Sequence, residues 1–317
     1  MSSGSNFGVD SFGVKKLYAD NTAKASENWT MGNMLSDSRI RVDGTITDKG
    51  GGEWEGHVTS SDNPASFRIN VNTTNPNAMD PNTQSILGTD WRKLLAAGYM
   101  VDAKDFRNVE MTIYWKVLSW SDSDEMSLYC RGGRHSSGWP AGCLGMCYKG
   151  QIQKAGNSRW AKEYHHNSGS TGYWFTAGHN TSTLGDRTNV WTGQKVVVFD
   201  KTVNGKPVVR MEVWKETSDE TNGNPSTQNW QMINWLEDDG TNTSDPSDTG
   251  FISNCHGVSK QQFLWGGPTA TFRIDNVIVR VKKASVRHIV GEGTGSVPPP
   301  TCPSGQHYDE TLQICVQ

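Results

Sequence analysis

Val109-Glu110-Met111-Thr112-Ile113-Tyr114-Trp115-Lys116-Val117 is the stretch that decides the fold. Large apolar side chains fall on every second residue, with polar or amphipathic ones between them. Only a strand with one face on a core gives that period. The pattern predicts Val109, Met111, Ile113 and Trp115 inward and Glu110, Thr112, Tyr114 and Lys116 on the opposite face. Arg210-Met211-Glu212-Val213-Trp214 repeats the theme: Met211 and Val213 fill the core, and Arg210, Glu212 and Trp214 share the other side. In Ser127–Arg131 the alternation sends Leu128 and Cys130 inward and Tyr129 and Arg131 outward. In Arg159–His166 it leaves two choices open. Either Arg159, Ala161, Glu163 and His165 share a face, or Trp160, Lys162, Tyr164 and His166 do.

Further short runs of the same kind lie at Val14–Tyr18, Arg39–Val42, Phe67–Val71, Gln194–Phe199, Val208–Lys215, Trp230–Leu236, Ala270–Asn276 and Val277–Lys282. Turn-forming residues separate them, including Gly50-Gly51-Gly52. Many short strands joined by polar turns predict an all-β, two-sheet antiparallel sandwich. One short helix is expected at Asp90–Ala97, with Asp90 as its cap and Gly98 to end it. The organisation reads as a loose N-terminus over 1–12, a main domain over 13–290, a Gly/Pro linker over 291–301 and a small tail over 302–317. A unit as short as the tail cannot build a core and would need a Cys302–Cys315 bridge.

Composition narrows the function. The chain has 317 residues, a net charge of −3, 34 Gly and 13 Trp. It lacks the basic stripe of a nucleic-acid binder and any long apolar run that could span a membrane. The N-terminus has no apolar leader, which fits a secreted protein whose signal peptide has been removed. The six cysteines are even in number, which favours an oxidising compartment. Cys255 is expected to pair with Cys143 or Cys147, and Cys130 to be a core thiol. The Cys143/Cys147 spacing has no second pair to complete a zinc site, and no cofactor is required.

Aromatic, Arg and Glu side chains on a non-core sheet face are what a polysaccharide or oligosaccharide binder needs: rings for stacking, charges for hydroxyls and carboxylates. An ordinary solvated face would also be charged. Cleavage by β-elimination would use Arg210 or Arg131 against the uronate carboxylate. His165, His166 or His135 would be the base, and Tyr164, Tyr173 or Tyr129 the acid. Arg134, Lys162, Tyr114 and Trp214 complete the expected binding set. Hydrolysis would instead use Glu163 with Glu212, or Glu110 as the alternative. A non-catalytic binder or adhesin is the third reading.

Three strings carry a resemblance: Lys162–His166, Arg131–His135 and Trp265–Arg273. They resemble secreted archaeal-type concanavalin-like jelly-roll proteins, which implies a jelly roll engaged with carbohydrate. More weakly, Arg210-Met211-Glu212 and Tyr173–Asn180 are similar to the Arg-x-Glu strand and the Tyr-containing strand ending in Lys-Ala-Gly on the inner sheet of alginate-lyase-type jelly rolls. Thr176 stands where that pattern has Lys, and its Gln-x-His element has no counterpart. Asp238, Asp239, Asn242, Asp245 and Asp248 form an acidic loop without EF-hand spacing. A solvated turn is the simpler reading, and the resemblance adds structural Ca2+.

Deleting residues 291–317 is expected to leave the melting temperature of the main domain nearly unchanged. A fall of many degrees in a thermal melt would show the tail packed into the sandwich.

Overall fold

The computed structural model describes residues 7–58, 66–73, 106–120, 125–132, 147–167, 170–239, 269–275, 277–291, 307–309 and 314–316. After a 3-10 turn at Thr22–Glu27, its strands are β1 (Trp29–Thr30), β2 (Ile40–Asp43), β3 (Thr45–Gly50), β4 (Glu53–His57), β5 (Ser66–Asn72), β6 (Val109–Ser119), β7 (Glu125–Gly132) and β8 (Cys147–Gln153). There follow β9 (Ser158–Asn167), β10 (Ser170–Thr176), β11 (Thr192–Val203), β12 (Lys206–Glu216), β13 (Gln231–Asp238), β14 (Thr269–Asp275), β15 (Ile278–His288), β16 (His307–Asp309) and β17 (Ile314–Val316). The expected helix at Asp90–Ala97 lies outside the described residues.

The strands form two antiparallel sheets. One has eight strands, ordered β13-β12-β11-β6-β15-β4-β3 with β1 added on β15; the other has seven, ordered β10-β9-β8-β7-β14-β5-β2. β16 and β17 pair with each other as a separate two-stranded sheet. The chain is therefore an all-β sandwich of the jelly-roll kind, as the alternation predicts. Val109, Met111, Ile113 and Trp115 of β6 and Met211 and Val213 of β12 meet Phe67 and Ile69 of β5, Leu128 of β7 and Phe272 of β14 in one core. No helix among the described residues is long and apolar enough to cross a membrane.

A left-handed residue breaks the alternation in β15. In β15 the inward set is Val279 and Val281, then Ala284 and Val286. The change of parity is a bulge between Lys282 and Ser285, with Lys283 at φ 52°. At Gly44 (φ 97°) the chain passes from β2, at the edge of one sheet, to β3, at the edge of the other. A Cβ there would stand 2.9 Å from the His57 carbonyl oxygen, so only glycine makes this corner. The opposite edge is stapled by residues 177–181. The His179 and Thr181 amides donate to the Trp235 and Ile233 carbonyls of β13, at 2.9 and 2.8 Å.

The segment from Gly8 to Asp20 folds over the outer face of the eight-stranded sheet. Asp10 accepts from the Phe12 and Val14 amides. Val14 packs with Tyr114, Trp191 and Trp230 in a small second core. Val14–Tyr18 does not extend either main sheet; its one ladder contact is an isolated bridge between Val9 and Lys15.

His288 ends β15 inside this structure. Its ring stacks on Phe106, with centroids 5.4 Å apart, and its Nε2 has no hydrogen-bond partner. Burial, reinforced by Lys24, lowers its pKa from 6.5 to about 4. Between those values the unfolded chain binds the proton and the folded one does not. Stability is therefore expected to fall as pH drops from 6.5 toward 4, by roughly 3 kcal/mol in all. Glu110 and Asp20, both held low, contribute their losses only further down, as pH falls below about 4.5. Urea unfolding at stepped pH checks this: His288→Phe, which keeps the ring stack, should flatten the curve between pH 6.5 and 4.5.

Candidate functional site

Each sheet presents one face away from the core, and the two outer faces differ. On the eight-stranded sheet Arg210, Glu212 and Trp214 point outward as expected. Glu212 accepts from Arg210 Nε at 3.0 Å, Trp214 Nε1 at 2.9 Å and the Tyr18 hydroxyl at 2.8 Å. The Arg210 guanidinium lies 4.0 Å from the centre of the Trp235 ring, and His179 stacks on that ring at 3.6 Å and 2°. Two groups that close to one centroid must take opposite faces, so both sides of this indole are used. Tyr114 is buried beneath the N-terminal segment. Glu110 is clamped by Lys195 and Arg287 and accepts the Leu17 amide. Burial pushes its carboxyl up, but the two cations outweigh that and hold it low.

The outer face of the seven-stranded sheet is organised in rows. One runs in register Phe175–Ala161–Lys149–Tyr129–Thr271–Asn70–Arg41, one residue from each of β10, β9, β8, β7, β14, β5 and β2. Beside it runs Arg159–Gln151–Ser127–Arg273–Arg68–Asp43. Hydrogen bonds link neighbours along and between the rows. Arg159 Nε donates to Gln151 at 2.7 Å, Gln151 to Ser127 at 2.9 Å, Arg273 Nη1 to the Tyr129 hydroxyl at 2.7 Å and Thr271 to Asn70 at 2.9 Å. Lys149 pairs with Glu163 at 2.6 Å and lies over the Tyr129 ring at 4.6 Å. The first row is buried through its middle, whereas Phe175 is 50% exposed and the Arg41 side chain 38%.

This geometry resolves the choice left open in β9: Trp160 enters the core, and Arg159, Ala161 and Glu163 face outward. It also corrects several expectations. Lys162 points between the sheets, where its ammonium meets Asp238 at 2.7 Å with both side chains fully buried. Arg131 also turns inward. Its φ of 59° sits in the bulge where β7 shifts register against β14, and this reverses its direction. Its side chain bonds to Asp200 at 2.9 Å, to the Arg107 carbonyl and to Asn108. Glu163 and Glu212 lie on opposite outer faces, so the core separates them and they do not flank one glycosidic bond. Glu110 and Glu212 do share a face, each directly across from Val197 of β11. Cations hold Glu110 ionised, which does not suit the acid that hydrolysis needs. The Arg210-Met211-Glu212 and Tyr173–Asn180 elements fall on different sheets.

Backbone pairing sets His165 opposite Gly172 and Glu163 opposite Tyr173, with Tyr164 in the irregularity between them. Arg134 and His135 lie outside the described residues. Of the acidic loop, Asp238 serves Lys162 and the Tyr148 hydroxyl. Among the described residues no three His, Cys, Asp or Glu side chains gather to hold a metal. Cys130 and Cys147 are buried free thiols, so Cys147 is not half of a disulfide; Cys143, Cys255 and Cys302 lie outside the described residues. Burial pushes the Cys130 thiol up to about 12 and the Cys147 thiol well above the usual range.

No family model matches the chain, and no curated protein matches it. Among solved structures it is similar to the carbohydrate-binding module CBM66 from Bacillus subtilis, at 7% identity over 80% of this chain and 97% of that one, with a TM-score of 0.40. It is also similar to the metal-free carbohydrate recognition domain of Emp46p (8% identity, 83% and 97% covered, TM-score 0.38). A third is the exoplasmic/lumenal domain of VIP36 in its Ca2+/Man3GlcNAc-bound form (10% identity, 81% and 86% covered, TM-score 0.37).

The sequence reading missed Lys149, Gln151, Thr271, Asn70, Arg273 and Phe175 as members of one face. Part of the signal was present: in Ala270-Thr271-Phe272-Arg273-Ile274 the apolar positions already assign Thr271 and Arg273 outward. The Lys162–Asp238 pair yields a direct test. Lys162→Met should cost roughly 3–5 kcal/mol in urea unfolding because it strands a buried carboxylate, and adding Asp238→Leu should recover part of that loss.

Proposed function

We propose that the protein binds an acidic polysaccharide across the outer face of the seven-stranded sheet, with the polymer running along the rows and one contact set per strand. The observation that carries this is the in-register row from Phe175 to Arg41. Its middle holds a lysine, a tyrosine, a threonine and an asparagine, the side chains that bond sugar hydroxyls and carboxylates. Strands are about 4.8 Å apart, so seven of them offer a track of about 29 Å. Arg41, Arg68, Lys149, Arg159 and Arg273 supply cations along it, against the carboxylates of Asp43, Glu125 and Glu163 among the described residues. The middle of the track is buried within the chain, so a polymer reaches it only by uncovering it. An extracellular setting, where such polymers occur, is part of the same reading.

A specific contact favours a second step, cleavage by β-elimination. Elimination needs a cation on the uronate carboxylate, a base for the proton beside it and an acid for the leaving oxygen. The Tyr129 hydroxyl accepts from Arg273 while Lys149 lies over its ring, so a proton-transfer group stands beside two cations. In this reading Arg273 and Lys149 meet the carboxylate, and the Tyr129 phenolate takes the proton beside it and returns it to the leaving oxygen.

The test is a panel of polyuronates and neutral glucans, with binding read by calorimetry and unsaturated uronate ends by their ultraviolet absorbance. Arg273→Ala should weaken binding of the acidic polymer roughly ten- to a hundredfold, the loss of one charge-assisted bond. Tyr129→Phe should keep binding and lower turnover by roughly 100-fold or more. Binding without new unsaturated ends would remove the elimination step alone. No binding of any polyuronate by the wild type would remove the whole reading.

A further inference from the structure

Residues 8–16 fold back on themselves as a hairpin over the outer face of the eight-stranded sheet. The Lys16 amide donates to the Gly8 carbonyl, Val9 bridges to Lys15, and the Asp10 carboxylate holds the turn. Within this hairpin only Val14 is buried, and its side chain packs among Tyr114, Trp191 and Trp230. Gln228 clasps the hairpin with both ends of its amide, accepting from the Lys15 amide and donating to the Gly13 carbonyl. The hold changes at Leu17. From there Glu110, Glu212 and Arg287, on three different strands, grip Leu17, Tyr18 and Asp20. Beneath the hairpin, the face it covers is short of hydrogen bonds. The Tyr114 hydroxyl and the Trp230 indole N–H are buried with no partner, on side chains 1% and 8% exposed. Their rings meet edge to face at 5.9 Å, and Asp10 of the hairpin stands near enough to the Tyr114 hydroxyl to add to the rise in its pKa that burial causes. Buried donors left unmade cost free energy, so the closed hairpin is held less firmly than its packing implies.

We propose that residues 8–16 are a flap over a second sugar site, where one uncharged pyranose replaces Val14 among Tyr114, Trp191 and Trp230 and accepts from the two unpaired donors. The chemistry of the pocket selects this ligand. Three aromatic rings offer apolar faces, and a pyranose has an apolar C–H face ringed by hydroxyls that accept hydrogen bonds. Lys195 lies 4.8 Å over the Trp230 ring but is already neutralised by Glu110, so the donors ask for hydroxyl oxygens rather than for a charge. The flap hinges between Lys16 and Leu17, and Gln228 is its latch. The site lies on the opposite outer face from the polymer track and does not depend on it. Because the flap must open first, apparent affinity is lowered by the fraction of molecules that are open. Cutting the latch therefore tightens binding without touching the site.

The experiment titrates wild type, Tyr114→Phe and Gln228→Gly with the methyl glycosides of glucose, galactose and mannose, using calorimetry and tryptophan fluorescence, and follows hydrogen exchange at the Lys15 amide. Gln228 has a φ of 45°, so glycine removes the clasp and suits the backbone. At least one glycoside should bind, and at saturation it should speed exchange of the Lys15 amide about tenfold or more, since Gln228 covers that amide while the flap is closed. Gln228→Gly should bind the same glycoside roughly 3- to 30-fold more tightly. Tyr114→Phe should bind it about 3- to 10-fold more weakly yet melt about 1–4 °C higher, because it deletes a buried donor that nothing satisfies. A hydroxyl with only a structural role would lower the melting temperature when removed, and that result overturns the site. Unchanged glycoside affinity in Tyr114→Phe overturns it too, as does unchanged or slower Lys15 exchange with the sugar bound. If Gln228→Gly binds none of the three glycosides, the flap covers no sugar site. The polyuronate titrations test the polymer track separately, so either reading can fail without the other.

Discussion

Lys162 and Asp238 are fully buried, oppositely charged and carried by different sheets, and their pairing fixes how the two layers meet at one end. Lys162 belongs to β9 and Asp238 to β13, and the Tyr148 hydroxyl of β8 adds a 2.6 Å bond to the same carboxylate. Such a pair adds little net stability, because removing both charges from water offsets their attraction. Its effect here is directional. With Lys162 held between the sheets, the period of two requires Arg159, Ala161 and Glu163 to face outward. A shift of β9 by one residue would bury Glu163 against the core and leave an ammonium outside. The rows across the seven-stranded sheet therefore depend on this contact, since β9 supplies their Ala161 and Arg159.

Arg131 and Asp200 make the corresponding link elsewhere in the sandwich, and the chain has to bend to form it. The bulge at the end of β7 inverts one residue, so a guanidinium that strict alternation would send outward reaches β11 instead. Lys283 plays a related part in β15, where a left-handed residue resets the alternation and brings Ala284 and Val286 inward. Each is a bulky side chain in a conformation that favours glycine, a cost accepted where a strand must change face.

Most of the architecture can be read from the sequence because β6, β12 and β14 alternate strongly. Met211 and Val213 predict the face of Arg210 and Glu212 without any structure. Legibility fails where the period is interrupted or the strand is polar on both sides. β8, Cys147-Tyr148-Lys149-Gly150-Gln151-Ile152-Gln153, carries a glycine and three polar residues, so it gives almost no apolar signal, yet it lies in the middle of the rows. The direction of Arg131 depends on a backbone dihedral that no residue pattern announces. The candidate face is harder still, since its members come from β2 near residue 41 to β14 near residue 273. Their register is a product of the whole sheet.

The covering of the eight-stranded sheet by residues 8–20 bears on the order in which this molecule can form. Leu17 and Tyr18 bond to Glu110 and Glu212, Asp20 bonds to Arg287, and the Ala19 carbonyl accepts from Val290. The partners of this segment thus run from residue 110 to residue 290. None can be met until β6, β12 and β15 lie side by side, which requires the ends of the domain to have been brought together. Contacts of such sequence separation close late and slowly. Residues 8–20 are then the last part to settle, and until they do Val14 and Leu17, together with the aromatic rings they cover, stay in contact with water.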